Sequence, residues 1–393
     1  MLGLLREVME GIVPLRRANA PLAAAMRALL PDRGVGQEWQ SSAYGEYYAR
    51  SADVYAAVKL RAEAASRPPL QVREIDASGA WRWVGPEHPT QRLLDTVNRW
   101  WSRSDLLIAT ETYLCLWGAA FWYLGRSASA SHSAVPDEIC VLRPDRVRVV
   151  RDPERYVAGF VYEERGRETA LLPEEVVWFR YFNPLEEFAG FAPMAAARLT
   201  ADMGMDALRF NREFFRNGAQ PQDLVFRASG PVTDGQIAEF YSRLEARHAG
   251  PGRANRPLVA GDGWDVQRLG LSQRDMEWLA GLRWSLEGVA RVYGVPLPLL
   301  EDFSHATLNN VREARRMFWE KTMVPELTFL ASAISEGLLP RLGPSARGLS
   351  VAFDLTQVEA LSETESERTR RQVALVQAGI LTTEEARRER GLS

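Results

Sequence analysis

The residue types that run hydrolytic chemistry are all present in this chain, but not in a working pattern. His88, His132, His248 and His305 are scattered along it. None is accompanied by a GxSxG elbow or an HExxH helix, the contexts that bring a nucleophile and base, or two metal ligands, within bonding distance. Asp262 and Asp265 read as turn residues, the ordinary place for aspartate. Cys115 and Cys140 have no CxxC or metal-ligand spacing and sit in apolar surroundings, which fits two buried thiols in a reducing compartment. The glycines of AGPGRANRPL (249–258) lack the GK[ST] of a phosphate loop. No catalytic residue, metal ligand or cofactor site is therefore expected, and a hydrolase without a recognisable motif is the weakest of the functional readings.

The polar residues that do cluster lie between two helical patterns. The stretch Leu297–Asn309 (LPLLEDFSHATLN) carries Leu299, Glu301, Asp302, Phe303, Ser304, His305, Thr307 and Asn309, and is longer than most helix–helix connections. Just beyond it stand Arg312, Arg315 and Arg316. They form either a solvated face paired with Glu313 and Glu320, or a surface turned toward phosphates or a neighbouring subunit.

The elements that must position these residues are two helices. In residues 271–294, Met276, Leu279, Leu282, Leu286, Val289 and Tyr293 recur at helical spacing. Gly281, Ser285 and Gly288 form a stripe of small residues on the other side, which fits close approach of another backbone, within one subunit or between subunits. Gly294-Val295-Pro296 ends the helix. The second helix, 310–342, contains Pro325, which cannot donate to the Lys321 carbonyl and predicts a kink.

Composition sets the outer limits. A chain of 393 residues with net charge −3 can form several domains and lacks the basic excess of a protein built to grip nucleic acid. Lys59 and Lys321 are the two lysines, so arginine carries the positive charge, as in a GC-rich genome or a hot habitat. Arg6, Glu7 and Glu10 interrupt the apolar N-terminus, unlike a secretory signal. A membrane-associated pore-forming oligomer is the other alternative, resting on Leu106–Gly125 alone. Glu111 would cost about 2–3 kcal/mol there in lipid, so a core helix running into a strand is expected.

In chain order, Ser51 caps a helix in which Val54, Ala57, Val58 and Arg61 turn together, and Pro68-Pro69 stops it. A strand follows at Leu70–Ile75, then a hairpin return at Trp81–Trp83 and a helical region from Thr90 to Trp101. A helix over 104–116 feeds a strand over 118–126. Strands are expected at 138–152, 156–164 and 168–183. A long helix spans 192–217. Residues 222–270 read as a strand over 223–227, a helix over 234–247, and strands over 257–260 and 264–269. Two further helices follow Ser362 and Thr382. Short strands grouped with helices, without βαβ alternation, give an α+β fold.

Several stretches resemble the portal (head–tail connector) proteins of tailed bacteriophages. They are VARVYGVPLPLLEDFSHATLNNVREARRMFW (289–319) with MVPEL, FFRNGAQP (214–221), the glycine-entered strand at Gly118, Arg143-Pro144-Asp145, EVVWFR with GFAP, and GILTTEEARR (379–388). Trp178 stands where most such proteins have histidine. The resemblance covers residues 45–393 and implies a portal fold. Its parts would be an arm (1–45), an α+β wing (46–191), a first stem helix (192–217), a small α/β clip (218–270) and a second stem helix (271–294). A tunnel loop (295–309), a kinked tunnel helix (310–342) and a helical C-terminal crown (343–393) would follow. It further implies a non-enzymatic ring of twelve subunits at one capsid vertex of a phage, prophage or gene-transfer particle, assembled in the host cytoplasm. The loop would face double-stranded DNA, and Gly281, Ser285 and Gly288 would pack between subunits. Arg243, Arg247, Arg253 and Arg256 of the clip would dock the large terminase subunit. The major capsid protein or scaffold and a head–tail adaptor would be the remaining partners, with no membrane and no cofactor.

Overall fold

The computed structural model describes residues 43–76, 78–126, 135–216, 224–228, 230, 231, 233–239, 242, 264–268, 274–300, 308–362 and 365–389, together with Met26. Statements about absence below refer to these residues. Two helices open the chain, α1 (Ala43–Arg50) and α2 (Ala52–Ser66). The Ser51 hydroxyl caps α2 by accepting the Val54 N–H at 3.4 Å, as its sequence predicts. Strand β1 (Leu70–Ile75) pairs antiparallel with β2 (Trp81–Trp83), Arg73 opposite Trp83.

The next helix is shorter than expected. Helix α3 runs Pro89–Thr96, not to Trp101, because the backbone leaves helical geometry at Val97 (φ 47°). Asn98 Oδ1 then accepts the N–H groups of Trp100 and Trp101, an Asx turn that competes with further helix. Helix α4 (Arg103–Trp117) starts at a reciprocal Ser102/Asp105 capping box and ends at Gly118, whose φ of 67° suits glycine. Strand β3 (Ala119–Gly125) follows at once and is buried throughout. The apolar stretch Leu106–Gly125 is thus a core helix and a core strand, and no described helix is long and apolar enough to cross a membrane.

Strand β3 divides the core by its two-residue period. Ala120, Trp122 and Leu124 point into the main core against the helices, while Ala119, Phe121 and Tyr123 point into a second cluster between sheets. Two expected strands are each broken in two by a proline. The first becomes β4 (Glu138–Leu142) and β5 (Val147–Asp152), separated by a turn at Pro144. After β6 (Tyr156–Glu164), the second becomes β7 (Arg167–Leu171) and β8 (Val176–Arg180), separated at Pro173. Proline cannot donate to a ladder, so each break lets the chain change sheet: β4-β3-β8 form one sheet and β5-β6-β7 another. Their facing side chains, among them Phe121, Cys140, Val149 and Phe160, make the second core.

Gly190 and Gly118 meet backbone to backbone, so that a Cβ on either would overlap the other's strand or loop. That contact explains why a glycine opens β3 and another stands in GFAP. Helix α5 (Pro193–Arg216) follows, and β9 (Leu224–Ala228) pairs antiparallel with β10 (Trp264–Arg268) beyond it. Asp265 lies in β10 opposite Arg227, not in a turn. Residues 234–239 are helical, with Thr233 taking the Gln236 carboxamide oxygen as its partner. Helix α6 (Arg274–Tyr293) returns along α5.

The last long element is α7 (Leu308–Phe318), a π-helical turn (Trp319–Met323) and α8 (Val324–Gly337). Strand β11 (Leu349–Phe353) pairs with β1, Leu70 opposite Phe353, so the chain beyond Gly343 first rejoins the sheet of β1 and β2. Helices α9 (Glu365–Gln377) and α10 (Thr383–Glu389) close the described chain, the latter capped by Thr382 and Glu385. The whole is α+β, with long helices and small antiparallel sheets.

Candidate functional site

The small residues of α6 are taken up inside the subunit. Ser285 is buried and its hydroxyl donates to Asp53 Oδ2 at 3.0 Å. A Cβ built on Gly204 of α5 would overlap the Ser285 side chain, and one built on Gly288 would overlap Thr200 of α5. Ser285 and Gly288 thus pack α6 on α5 within the chain. Gly281 belongs to the same helix, and its surroundings lie outside the described residues.

Helix α6 ends as its glycine predicts. Gly294 has φ 64°, its N–H reaches the Arg291 carbonyl at 3.3 Å, and the Val295 N–H reaches Ala290 at 2.9 Å. This double bond pattern satisfies carbonyls that the helix end would otherwise leave open. The Thr322 hydroxyl donates to the Gly294 carbonyl at 2.7 Å, fastening the π turn to the end of α6. A short 3₁₀ turn, Leu297–Leu300, follows, with Leu299 half-buried against the core. Glu301, Asp302, Phe303, Ser304, His305 and Thr307 lie outside the described residues. Helix α7 begins at Leu308, two residues earlier than expected, and so includes Asn309 in its backbone.

Arg312 and Arg315 are exposed on α7, and Arg316 donates to Glu320 at 2.7 Å, an i,i+4 pair in which both side chains are about half exposed. Where the sequence predicts a kink, the helix is interrupted by a π turn. Val324 N–H bonds to the Trp319 carbonyl five residues back, and Pro325 stands exposed in the first turn of α8. A π turn is wider than an α turn, and it stands just before the proline, whose ring an α-helix would press against the Lys321 carbonyl. Arg243, Arg247, Arg253 and Arg256 lie outside the described residues.

The residue after the proline, Glu326, points inward into a group of charges that no single stretch of sequence announces. Arg61 of α2 is buried and donates through Nε to Glu111 Oε1 of α4 at 2.8 Å, and through Nη2 to Glu326 Oε2 of α8 at 2.8 Å. Its Nη1 donates to the Tyr293 carbonyl at 3.1 Å, at the end of α6. The Tyr181 hydroxyl, just beyond β8, donates to Glu326 Oε1 at 2.7 Å. Cys115 Sγ donates to Glu111 Oε1 at 3.4 Å. Glu111 Oε2 is buried and has no hydrogen-bond partner. One cation of α2 thus ties α4, α6 and α8 together.

Burial, with the Glu111 charge added, pushes the Glu326 carboxyl up to about 8 despite the opposing pull of Arg61. Burial likewise raises the Cys115 thiol and the Tyr181 and Tyr293 phenols, which keeps them neutral, and pushes the Cys140 thiol up to about 12. Both cysteines are free and buried, as expected of inert thiols. Among the described residues no cluster of His, Cys, Asp or Glu could hold a metal. His88 caps α3, its Nδ1 accepting the Thr90 N–H at 3.2 Å. The sequence signal for the cluster was a charge on an apolar helix face, twice: Arg61 among Val54, Ala57 and Val58, and Glu111 in the apolar run of α4.

Four small antiparallel sheets among the described residues, a pair of long antiparallel helices and a helix interrupted by a π turn define a portal-type chain. The sequence matches the family described as Phage portal protein over residues 52–391, and the chain belongs to that family. It is 22% identical to the portal protein of Enterobacteria phage HK97 over 304 residues, 76% of this chain and 70% of that one. Among solved structures it is similar to the neck of an empty GTA particle in C6 symmetry, with TM-score 0.66, 26% identity, and 93% and 96% of the two chains covered. It is also similar to the neck of a native GTA particle in C12 symmetry, with TM-score 0.63, 25% identity, and 95% and 99% covered.

Proposed function

We propose that this chain is the subunit of a ring of twelve copies at one vertex of a virion capsid, the conduit for double-stranded DNA during packaging and ejection. The observation that carries the ring is the outer face of α5. Leu199, Met203 and Phe210 are 75%, 46% and 53% exposed in the single chain, and helical spacing places them together, opposite Ala197 and Ala201 of the core. A repeated apolar contact of this kind closes a ring when the rotation between copies returns to its start. The twelve-fold neck of the native GTA particle supports that symmetry.

In this reading the loop from Leu297 to Asn309 lines the narrowest part of the channel. Glu301 and Asp302 keep contact with passing phosphates weak, because each neutralised phosphate adds salt-dependent affinity that would resist movement. The insert between α5 and α6 docks the large terminase subunit through Arg243, Arg247, Arg253 and Arg256. Terminase supplies the ATP hydrolysis, and the ring has no catalytic site of its own. The capsid protein or scaffold and a head–tail adaptor contact its remaining faces.

Negative-stain imaging and native mass spectrometry of the purified chain test the ring directly. The wild type is expected as a closed ring with a central hole, and Leu199→Asp with Met203→Asp as a folded single subunit. Rings at wild-type yield from that variant would show that the α5 face is not the contact. A wild type that stays monomeric under assembly conditions would overturn the ring itself.

A further inference from the structure

The buried cluster at the root of the kinked helix contains one cation and two carboxylates. Its members come from every element packed there: Arg61 from α2, Glu111 and Cys115 from α4, Tyr181 from beyond β8, the Tyr293 carbonyl from α6 and Glu326 from α8. The tyrosines and the cysteine are neutral, so Arg61 balances one of the two glutamates and no described group balances the other. Glu111 Oε2 is buried and lacks a donor, and the Glu111 and Glu326 carboxylates are brought together on neighbouring nitrogens, Nε and Nη2, of the one Arg61 guanidinium.

We propose that Glu111 and Glu326 hold one proton between them, and that losing it is a switch that loosens the π turn and α8 from the wing. A shared proton gives Glu111 Oε2 its missing partner and leaves the cluster neutral with Arg61. Loss breaks one carboxyl O–H bond, leaves the electron pair on the carboxylate and passes the proton to a base in solution. The cluster then carries an uncompensated negative charge in a site closed to water, which is costly until the helix moves or water enters. Glu326 is the carboxylate that can leave, since it sits one residue past Pro325, where the π turn has already interrupted the helical ladder.

The burial that raises Glu326 to about 8 places the release near neutral to mildly alkaline pH. The switch concerns the subunit itself and stands whether or not the ring reading above is right. The elements it would move, α7 to α8, are those that carry the loop from Leu297 to Asn309.

Hydrogen exchange of the purified full-length protein, corrected for the intrinsic rise of exchange with pH, tests the switch. Amides of residues 319–337 are expected to exchange at least about tenfold faster at about pH 9 than at about pH 6, with α3 and the β5-β6-β7 sheet unchanged. Glu326→Gln, which imitates the protonated state, should abolish that step. Glu111→Gln leaves Arg61 and Glu326 as a matched pair and should move the step to lower pH. Infrared difference spectra between the two pH values should show loss of one protonated-carboxyl C=O band in the wild type and none in Glu326→Gln. A step that persists unchanged in either variant, or a wild type with no band loss, would overturn the proposal.

Discussion

Around Gly288, helix α6 meets α5 across side chains so small that a Cβ has nowhere to go, joined by one Ser285–Asp53 hydrogen bond to α2. One and a half turns further on, at Tyr293, the same helix reaches Arg61, which is held by two buried glutamates from two other helices. The first contact is made by shape and the second by charge. A close-packed seam resists added volume and tolerates modest polar change, whereas a buried ion cluster resists removal of a partner and tolerates little else. The helix pair is therefore held by shape around Gly288 and by charge at Tyr293, where in our proposal proton occupancy decides how firmly the last long helix is held.

The largest effect expected from this contrast follows from Arg61→Met. It preserves much of the volume but leaves Glu111 and Glu326 buried without their cation. Removing one partner of a buried pair typically costs about 3–5 kcal/mol, and here two carboxylates lose it. Denaturant melts at neutral pH should show a loss of that order, partly recovered in acid as the carboxylates protonate. A loss below about 1 kcal/mol would place the cluster with ordinary surface pairs and remove the distinction.

Gly288→Leu probes the other half. Overpacking a tight contact costs about 1–3 kcal/mol, felt in the folding of the isolated subunit because the obstructing atom, Thr200 Cγ2, belongs to the same chain. Thr200→Ala should restore part of that loss in the double variant, since it deletes the methyl in the way. Normal subunit stability with failed ring assembly would reverse the reading and return the seam to an intersubunit role.

Much of the fold was legible because local chemistry decides it. Ser51 and Thr382 cap helices, Gly294 ends one, and Pro325 breaks another where a break was expected. The alternating strands at Leu70–Ile75 and Trp81–Trp83 paired as read. Errors arose where one apolar run served two sheets: Pro144 and Pro173 are ladder breakers, yet the alternation on either side of each is continuous in sequence. The placement of β11 beside β1, 279 residues away by the pairing of Val72 with Val351, carries no local signal at all. The partner of the Gly288 stripe was ambiguous for the same reason, since small residues announce a close neighbour but not whose it is. Arg61, Glu111 and Glu326 are the clearest case. Each is an ordinary residue in its own helix, and only the packing of α2, α4 and α8 makes them one group.

The pH dependence of stability separates the two contacts without moving a heavy atom. A carboxyl whose folded pKa is raised binds its proton more tightly in the folded chain than in the unfolded one. Its contribution is fully present below the ordinary carboxylate range of about 4–4.5 and falls as pH rises through the folded value of about 8. Wild-type stability relative to Glu326→Gln should therefore decline between those limits. Gly288→Leu should show a nearly constant offset from the wild type as pH rises through the Glu326 value, because the atoms it displaces belong to Thr200, and the carboxylate of the seam, Asp53, bonds to Ser285 and not to Thr200. An equal decline for Glu326→Gln and the wild type would detach the charge cluster from the pH response.

The smallest effect comes from Arg316→Ala, which removes an ion pair of good geometry one turn before the π segment. Arg316 and Glu320 are about half exposed, 2.7 Å apart and at i,i+4 spacing. Water solvates both ions before and after the change, and pairs of this kind contribute about 0.3–0.5 kcal/mol. The expected shift in the denaturant midpoint is therefore close to the limit of measurement and should vanish in high salt, where exposed charges are screened. Arg61→Met should keep most of its cost in the same salt, since ions do not reach a buried cluster. The two arginines bind glutamates at almost the same distance, 2.7 Å and 2.8 Å, so geometry cannot distinguish them. A comparable, salt-independent loss at Arg316 would show that burial is not what sets the root of the kinked helix apart.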